Sequence, residues 1–277
     1  MRLSMGYSPC PNDCFVFYAL AHGLVEGTQE DVVWDVRLED VETLNVWAQQ
    51  GFLDLSKVSY HAAFTVLDQY VLLRSGGALG RGVGPLVVTR RRLDSLKGRR
   101  IAIPGGLTTA NLLLRLWQPE GFEPVVLRYD RIMPAVANGS ADAGLIIHES
   151  RFTFGDYGLR QHIDLGEWWE STSGLPLPLG GIMARRTLGP HLLSSLDPLI
   201  RASLEFAWAD PGATESYVAK HAQELSPGVR QAHIDLYVNE FTRDLGVEGE
   251  AAVQALLERA IAAGLVAPPQ QALFVPR

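Results

Sequence analysis

Cysteine is scarce in this chain: Cys10 and Cys14 are the only two among 277 residues. They stand four apart, one read in a turn and one in the helix behind it, and without nearby histidine or further cysteine they make a poor metal set. A disulfide framework is therefore excluded as the source of stability, and both thiols are expected to pack as small side chains, with contact to a ligand left open for Cys10. Basic excess is lacking too. With 24 Lys and Arg against 31 Asp and Glu the net charge is -7, which argues against a nucleic-acid or anionic-membrane surface. The run Arg90-Arg91-Arg92 reads as a solvated turn. No apolar run reaches the length of a membrane span. Met1 leads into a strand with no charged and apolar leader between them, so a cytoplasmic address is expected. A Gly-x-Ser-x-Gly elbow, a His-Glu-x-x-His pair, a Walker-type loop and a dinucleotide glycine pattern are all missing, which removes the commonest hydrolase, NTPase and redox readings.

What the chain does have is apolar content, 47%, enough for a full core and for two lobes. Strand and helix patterns alternate through the first two thirds, which predicts an α/β fold with mostly parallel sheets flanked by helices. Residues 32–39 and 53–58 read as strands around a helix that Asp40 caps and Gly51 ends. The same order returns later, with a short helix over 132–138 stopped by Gly139 and an apolar strand over 143–147. Gly51-Phe52-Leu53-Asp54 and Gly139-Ser140-Ala141-Asp142 thus share Gly-x-x-Asp at one point of a helix-to-strand turn. Two halves built this way predict a two-lobed ligand-binding fold of the periplasmic-binding-protein type (type II). The extended stretches 85–89 and 181–184 are assigned as crossovers. The first lobe is then residues 1–86 with 184–277, and the second is 87–183. Long amphipathic helices over 191–209, 213–223, 228–244 and 249–263 form a C-terminal extension expected to pack on the first lobe. Leu273, Phe274 and Val275 in the tail are expected to dock or to extend a surface.

Ligands in open α/β sheets gather beyond the carboxyl ends of strands, so the residues just past each strand are the candidates. Ser8-Pro9-Cys10-Pro11-Asn12-Asp13 joins a strand to a buried helix, and Asn12 is expected as its N-cap, with free N–H groups facing an anion or a polar oxygen. A rigid proline turn without a ligand is the other reading of the same residues. Lys57, with Ser59 beside it, follows an apolar strand, where a charge is costly unless it faces a cleft; it is a candidate partner for a ligand carboxylate. Ser75 and Gly76 form a weaker anion-binding turn. Thr108 and Thr109 follow two glycines at the start of a helix, as caps and as donors to a carboxylate or phosphate. His148 stands at the mouth of the apolar strand 143–147, where an imidazole serves either as a base near neutral pH or as a hydrogen-bonded rim residue. Its neighbour Glu149 is read as structural.

Taken together the chain resembles the 1,4-dihydroxy-6-naphthoate synthase family of the futalosine route to menaquinone. The resemblance runs over nearly the whole length. It rests on Ser8-Pro9-Cys10-Pro11-Asn12-Asp13, on residues 54–59, on Gly144-Leu145-Ile146-Ile147-His148-Glu149 with Arg151-Phe152-Thr153, and on Gly166-Glu167-Trp168-Trp169 followed by Gly174-Leu175-Pro176-Leu177-Pro178-Leu179-Gly180-Gly181. Cys14 departs from it, since the family more often has threonine there. The resemblance implies a carbon-carbon lyase that converts cyclic dehypoxanthine futalosine, a small molecule with a carboxylate and a polyol, to 1,4-dihydroxy-6-naphthoate. It makes His148 the general base, a role worth roughly 10²–10⁴-fold. Thr108 and Thr109 would hold an anionic or hydroxyl group of the substrate, with Lys57, Ser59 and Asn12 on the opposite wall. Neither a metal nor an organic cofactor is implied.

Three other readings compete. A solute-binding protein without catalysis would share the fold, although such receptors usually carry a secretion signal. The effector domain of a transcription regulator would want a basic helix-turn-helix segment. The sister dehydratase acting on chorismate is closer in kind, and the Ser8 to Asp13 turn favours the naphthoate-forming branch. Monomer and homodimer both stay open.

Overall fold

The computed structural model describes residues 1–25, 32–148, 150–222 and 226–276. β1 (Arg2–Tyr7) leads through a short turn into α1 (Pro11–Ala21), where Pro11 takes the first helical position and its missing N–H costs nothing. Nearly every side of α1 is buried, so it carries no amphipathic stripe. β2 (Val33–Leu38), α2 (Val41–Gln49), β3 (Leu55–Ser59) and α3 (Tyr60–Phe64) follow, with the Asp40 carboxylate accepting from the Glu42 N–H to cap α2. Two short strands, β4 (Tyr70–Leu72) and β5 (Ala78–Gly80), close this half. The next half holds β6 (Leu86–Thr89), β7 (Arg100–Ile103), α4 (Thr109–Trp117), β8 (Glu123–Val126), α5 (Tyr129–Ala137), β9 (Ala143–Ile146), α6 (Ser150–Thr153), β10 (Arg160–Asp164) and α7 (Leu165–Ser173). β11 (Leu177–Arg185) returns the chain to the first sheet, and α8 (Gly189–Ala209), α9 (Pro211–His221), α10 (Pro227–Tyr237), α11 (Glu240–Arg243) and α12 (Gly246–Ala262) complete it.

The first sheet runs β2-β1-β3-β11-β4, with β5 also on β11, and the second runs β10-β6-β9-β7-β8. Parallel pairing holds for β2-β1-β3 and for β8-β7-β9, while β11 and β6 run antiparallel to their neighbours. Each sheet is therefore mixed rather than mostly parallel. The cause is that β6 and β11 enter from the other half without the helical crossover that a parallel pair requires. β6 pairs in the second sheet from Leu86. The return falls earlier than residue 184: Leu177 already pairs with Gly80, so residues 177–183 lie in the first sheet.

The shared Gly-x-x-Asp turns have one job in both halves. Gly51 and Gly139 end their helices with left-handed backbones, φ 61° and 83°. Asp54 then accepts from the Ser4 N–H at 2.9 Å and Asp142 from the Arg100 N–H at 3.0 Å, each tying the turn to the adjacent parallel strand. The C-terminal helices divide. α8, α9 and α10 pack on α1, whereas α12 packs on β11 and reaches α4. Arg259 of α12 also lies over the Trp169 ring of α7 at 4.7 Å. The expected helix end at residue 223 lies outside the described residues. The tail docks: Leu72 bridges to Phe274, and Val275 donates to the Leu72 carbonyl at 3.0 Å. Among the described residues no helix is long and apolar enough to cross a membrane.

Where the chain enters the second half, Gly84 lies against Gly166 at the start of α7, and a side chain at 84 would run into that backbone. Gly84→Ala is expected to cost about 1–3 kcal/mol through overpacking. Urea unfolding measures it, and an unchanged midpoint would show that the approach is looser than described.

Candidate active site

Between the two sheets lies a cleft with about 780 Å³ of empty space, part of it open to solvent. One wall comes from the start of α1 and the end of β3, the other from the start of α4 and the segment after β9, and α10 closes one side with His233 and Tyr237.

On the first wall Cys10, not Asn12, is the N-cap residue, and Asn12 is the second residue of α1. Pro11 causes the difference, because its fixed φ and absent N–H start the helix one residue before Asn12. The capping-type side chains are then free for another task, which is to surround Asp13. Asp13 Oδ2 accepts from the Ser8 hydroxyl at 2.8 Å and from the Ser8 N–H at 3.3 Å. Its Oδ1 accepts from Asn12 Nδ2 and from Lys57 Nζ, both at 2.8 Å. Lys57 also donates to the Gly76 carbonyl at 2.9 Å. The Lys57 and Asp13 side chains are 8% and 4% exposed. Lys57 lines the cleft, but its charge is answered by Asp13, because a buried ammonium needs a counter-ion of its own. It is not the free cation expected for a ligand carboxylate.

Ser59 lines the cleft as well, held by Asn45, whose Oδ1 accepts from the Ser59 N–H at 2.9 Å and whose Nδ2 donates to its hydroxyl at 3.2 Å. Ser75 and Gly76 do not reach the cleft. The Ser75 N–H donates to Asp197 at 2.8 Å and the Gly76 N–H to the Thr242 carbonyl at 2.7 Å, so the donors of this turn are consumed by the C-terminal helices.

The second wall centres on His148. Its φ of 56° makes it the one non-glycine residue with a left-handed backbone among the described residues. Histidine tolerates this region better than most residues, yet such a position still costs about 1–3 kcal/mol and tends to mark functional sites. The turn brings the imidazole to α1, with Nδ1 3.4 Å from Cys10 Sγ. Tyr129 meets the ring edge-on at 5.0 Å, and the ring of His233 lies nearly parallel at 6.2 Å. Glu149 lies outside the described residues. Thr108 caps α4, its hydroxyl accepting from the Asn111 N–H at 3.2 Å and donating to the Gly105 carbonyl at 3.0 Å. The Thr109 hydroxyl donates to the Leu179 carbonyl at 2.5 Å. Both threonines line the cleft. Their hydroxyl protons are spent, so the first N–H groups of α4 are what remains for an anion.

Several site residues were not singled out from the sequence. Arg151 donates to the Gly84 carbonyl and, at 3.1 Å, to Asp164, and lines the cleft from α6. His233 of α10 is 1% exposed and bonds through Nε2 to Asn12 Oδ1 at 2.9 Å. Burial, and secondarily the nearby His148, lowers its pKa to about 3. A lone histidine on an amphipathic helix reads as core, and no local signal marks it otherwise. His61, behind α4, is likewise pushed down by burial, with the Thr108 carbonyl opposing the shift.

Two mixed α/β sheets facing each other across a cleft define a periplasmic-binding-protein-like fold. The periplasmic aliphatic sulphonate binding protein of Escherichia coli matches it with a TM-score of 0.65 at 15% identity, over 96% of this chain and 89% of that one. A crystal structure of a protein from Archaeoglobus fulgidus matches with a TM-score of 0.89 at 38% identity, over 96% of this chain and 98% of the other. The chain belongs to the menaquinone biosynthesis family, whose model matches residues 3–262. It is 57% identical to a 1,4-dihydroxy-6-naphthoate synthase of Thermus thermophilus over 99% of both chains. A Streptomyces coelicolor protein of the same name is 53% identical over 95% of this chain and 94% of its own.

Two outcomes follow from this geometry. Asp13→Asn leaves the Lys57 charge buried without a counter-ion and is expected to cost about 3–5 kcal/mol; adding Lys57→Met should recover much of the loss in urea unfolding. His233 has a folded pKa of about 3 against an ordinary 6.5, so the stability it contributes is complete above pH 6.5 and is lost as pH falls toward 3. Stability measured across that window should fall less steeply in His233→Gln than in wild type, and equal slopes would rule His233 out as a cause.

Proposed function

We propose that this protein is a cytoplasmic lyase of menaquinone biosynthesis that converts cyclic dehypoxanthine futalosine to 1,4-dihydroxy-6-naphthoate, with His148 as general base. The two relatives that share more than half of its residues carry the name of that activity. The observation that carries the role of His148 is its imidazole, held at the cleft on a left-handed backbone and braced by Cys10 and Tyr129. A base needs a nitrogen lone pair within hydrogen-bond reach of the proton it takes. Among the described residues His148 has no carboxylate hydrogen-bond partner, and its imidazole lines the cleft where a substrate would lie. Removing a substrate proton lets the bond to the sugar-derived fragment break while the second ring becomes aromatic.

The opposite end of the cleft suits the aryl carboxylate. There the N–H groups that open α4, beside Thr108 and Thr109, offer the positive end of a helix dipole. Ser59 and Asn12 line the facing wall, and Lys57 supports it through Asp13. The two sheets act as lobes, the second entered near residue 87 and left near 177, where β11 begins. Their approach excludes water from the reacting atoms.

His148→Ala is expected to lower turnover by roughly 10²–10⁴-fold while substrate binding stays measurable. Incubation with cyclic dehypoxanthine futalosine, followed by mass detection of the naphthoate, tests both the activity and the variant. A wild-type rate in His148→Ala would remove this residue from the mechanism, and binding without any product by the wild-type protein would favour a receptor.

A further inference from the structure

The two nitrogens of His233 are in unlike situations. Asn12 Nδ2 donates to the Asp13 carboxylate at 2.8 Å, which fixes the orientation of the amide and turns Oδ1 toward His233. An amide oxygen only accepts, so the proton of His233 sits on Nε2. Nδ1 is left as an acceptor, and it is buried with no hydrogen-bond partner. Buried acceptors in native proteins are nearly always satisfied, and this one belongs to a residue that lines the cleft.

The tautomer is held from a distance. Lys57 and the Ser8 hydroxyl anchor Asp13, Asp13 orients Asn12, and Asn12 sets the proton on His233. Burial beside His148 disfavours the imidazolium, so Nδ1 keeps its lone pair at neutral pH. Its partner must then be a donor without negative charge, which excludes a carboxylate and admits a hydroxyl. The ring of His148 lies 6.2 Å away.

We infer that His233 Nδ1 accepts a hydrogen bond from a hydroxyl of the sugar-derived part of the substrate, placing that part beside His148. The inference rests on the reading of the cleft given above. It orients the substrate: the polyol lies between α1, α10 and His148, and the aryl carboxylate lies toward α4. His233 is in this sense a substrate-binding residue, and Lys57, Asp13 and Asn12 position it.

Histidine has two amide analogues that separate its nitrogens. Glutamine at 233 can keep a donor to Asn12 in place of Nε2 but offers nothing at Nδ1, whereas asparagine places an amide oxygen near Nδ1 and abandons Asn12. Steady-state kinetics on cyclic dehypoxanthine futalosine, with thermal unfolding alongside, should show kcat/KM of His233→Gln down by roughly 10- to 100-fold. His233→Asn should recover part of that loss despite being the less stable variant. Wild-type kcat/KM in His233→Gln would overturn the inference and leave Nδ1 to an ordered water, as would activity that falls only in step with unfolding temperature in both variants. If wild-type protein gives no naphthoate, the proposed activity itself fails and the inference with it, a result distinct from a full-rate His233→Gln.

Discussion

The buried pair of Lys57 and Asp13 is the constraint on which the cleft depends. Lys57 comes from β3 and Asp13 from α1, and they meet at 2.8 Å with both side chains buried. Such a pair is weak as a source of stability, because desolvation offsets the attraction, but it is costly to break and therefore defines position. Around it the Ser8 hydroxyl, the Asn12 amide and the Gly76 carbonyl occupy the remaining hydrogen-bonding directions. The start of α1 is thereby locked to the end of β3. From that lock the side chains facing the cleft, Asn12, Ser59 and through Asn12 His233, take their places.

The second wall is organised by backbone rather than by charge. His148 leaves β9 with a conformation that side chains seldom adopt, and the strain is held by a fully buried strand behind it and by contacts with Cys10 and Tyr129 ahead. One wall is thus positioned by a buried ion pair and its hydrogen bonds, and the other by the backbone that carries His148. A site arranged so spends little reorganisation when a substrate arrives.

Much of the fold was legible because local chemistry and tertiary role agree. Asp40 and Thr108 cap the helices they precede, and Gly51 and Gly139 end theirs. The failures have physical causes. The stretch 181–184, read as a crossover, lies inside β11, where side chains at Gly180 and Gly181 would strike the Val58 carbonyl and the Tyr60 ring, so these glycines serve close packing. Ser75-Gly76 is a turn, but the sequence does not say that its donors face α8 and α11 rather than the cleft. Lys57 reads as a partner for a ligand carboxylate, but the carboxylate it meets is that of Asp13, 44 residues away. His233 lies 221 residues from Asn12, and only the fold brings them together.

The two halves repeat one arrangement. In the order β2-β1-β3 followed by β11, and β8-β7-β9 followed by β6, the fourth strand of each sheet is antiparallel and connects to the other half. Each sheet is thus completed by a strand at a crossing, and α12 is laid over β11 and α4 together. The halves consequently lack autonomy. Cut at either crossing, the first would lose β11 from the interior of its sheet, so the cleft cannot be shuffled between proteins as a pair of separable modules and must be inherited, and must fold, as a whole.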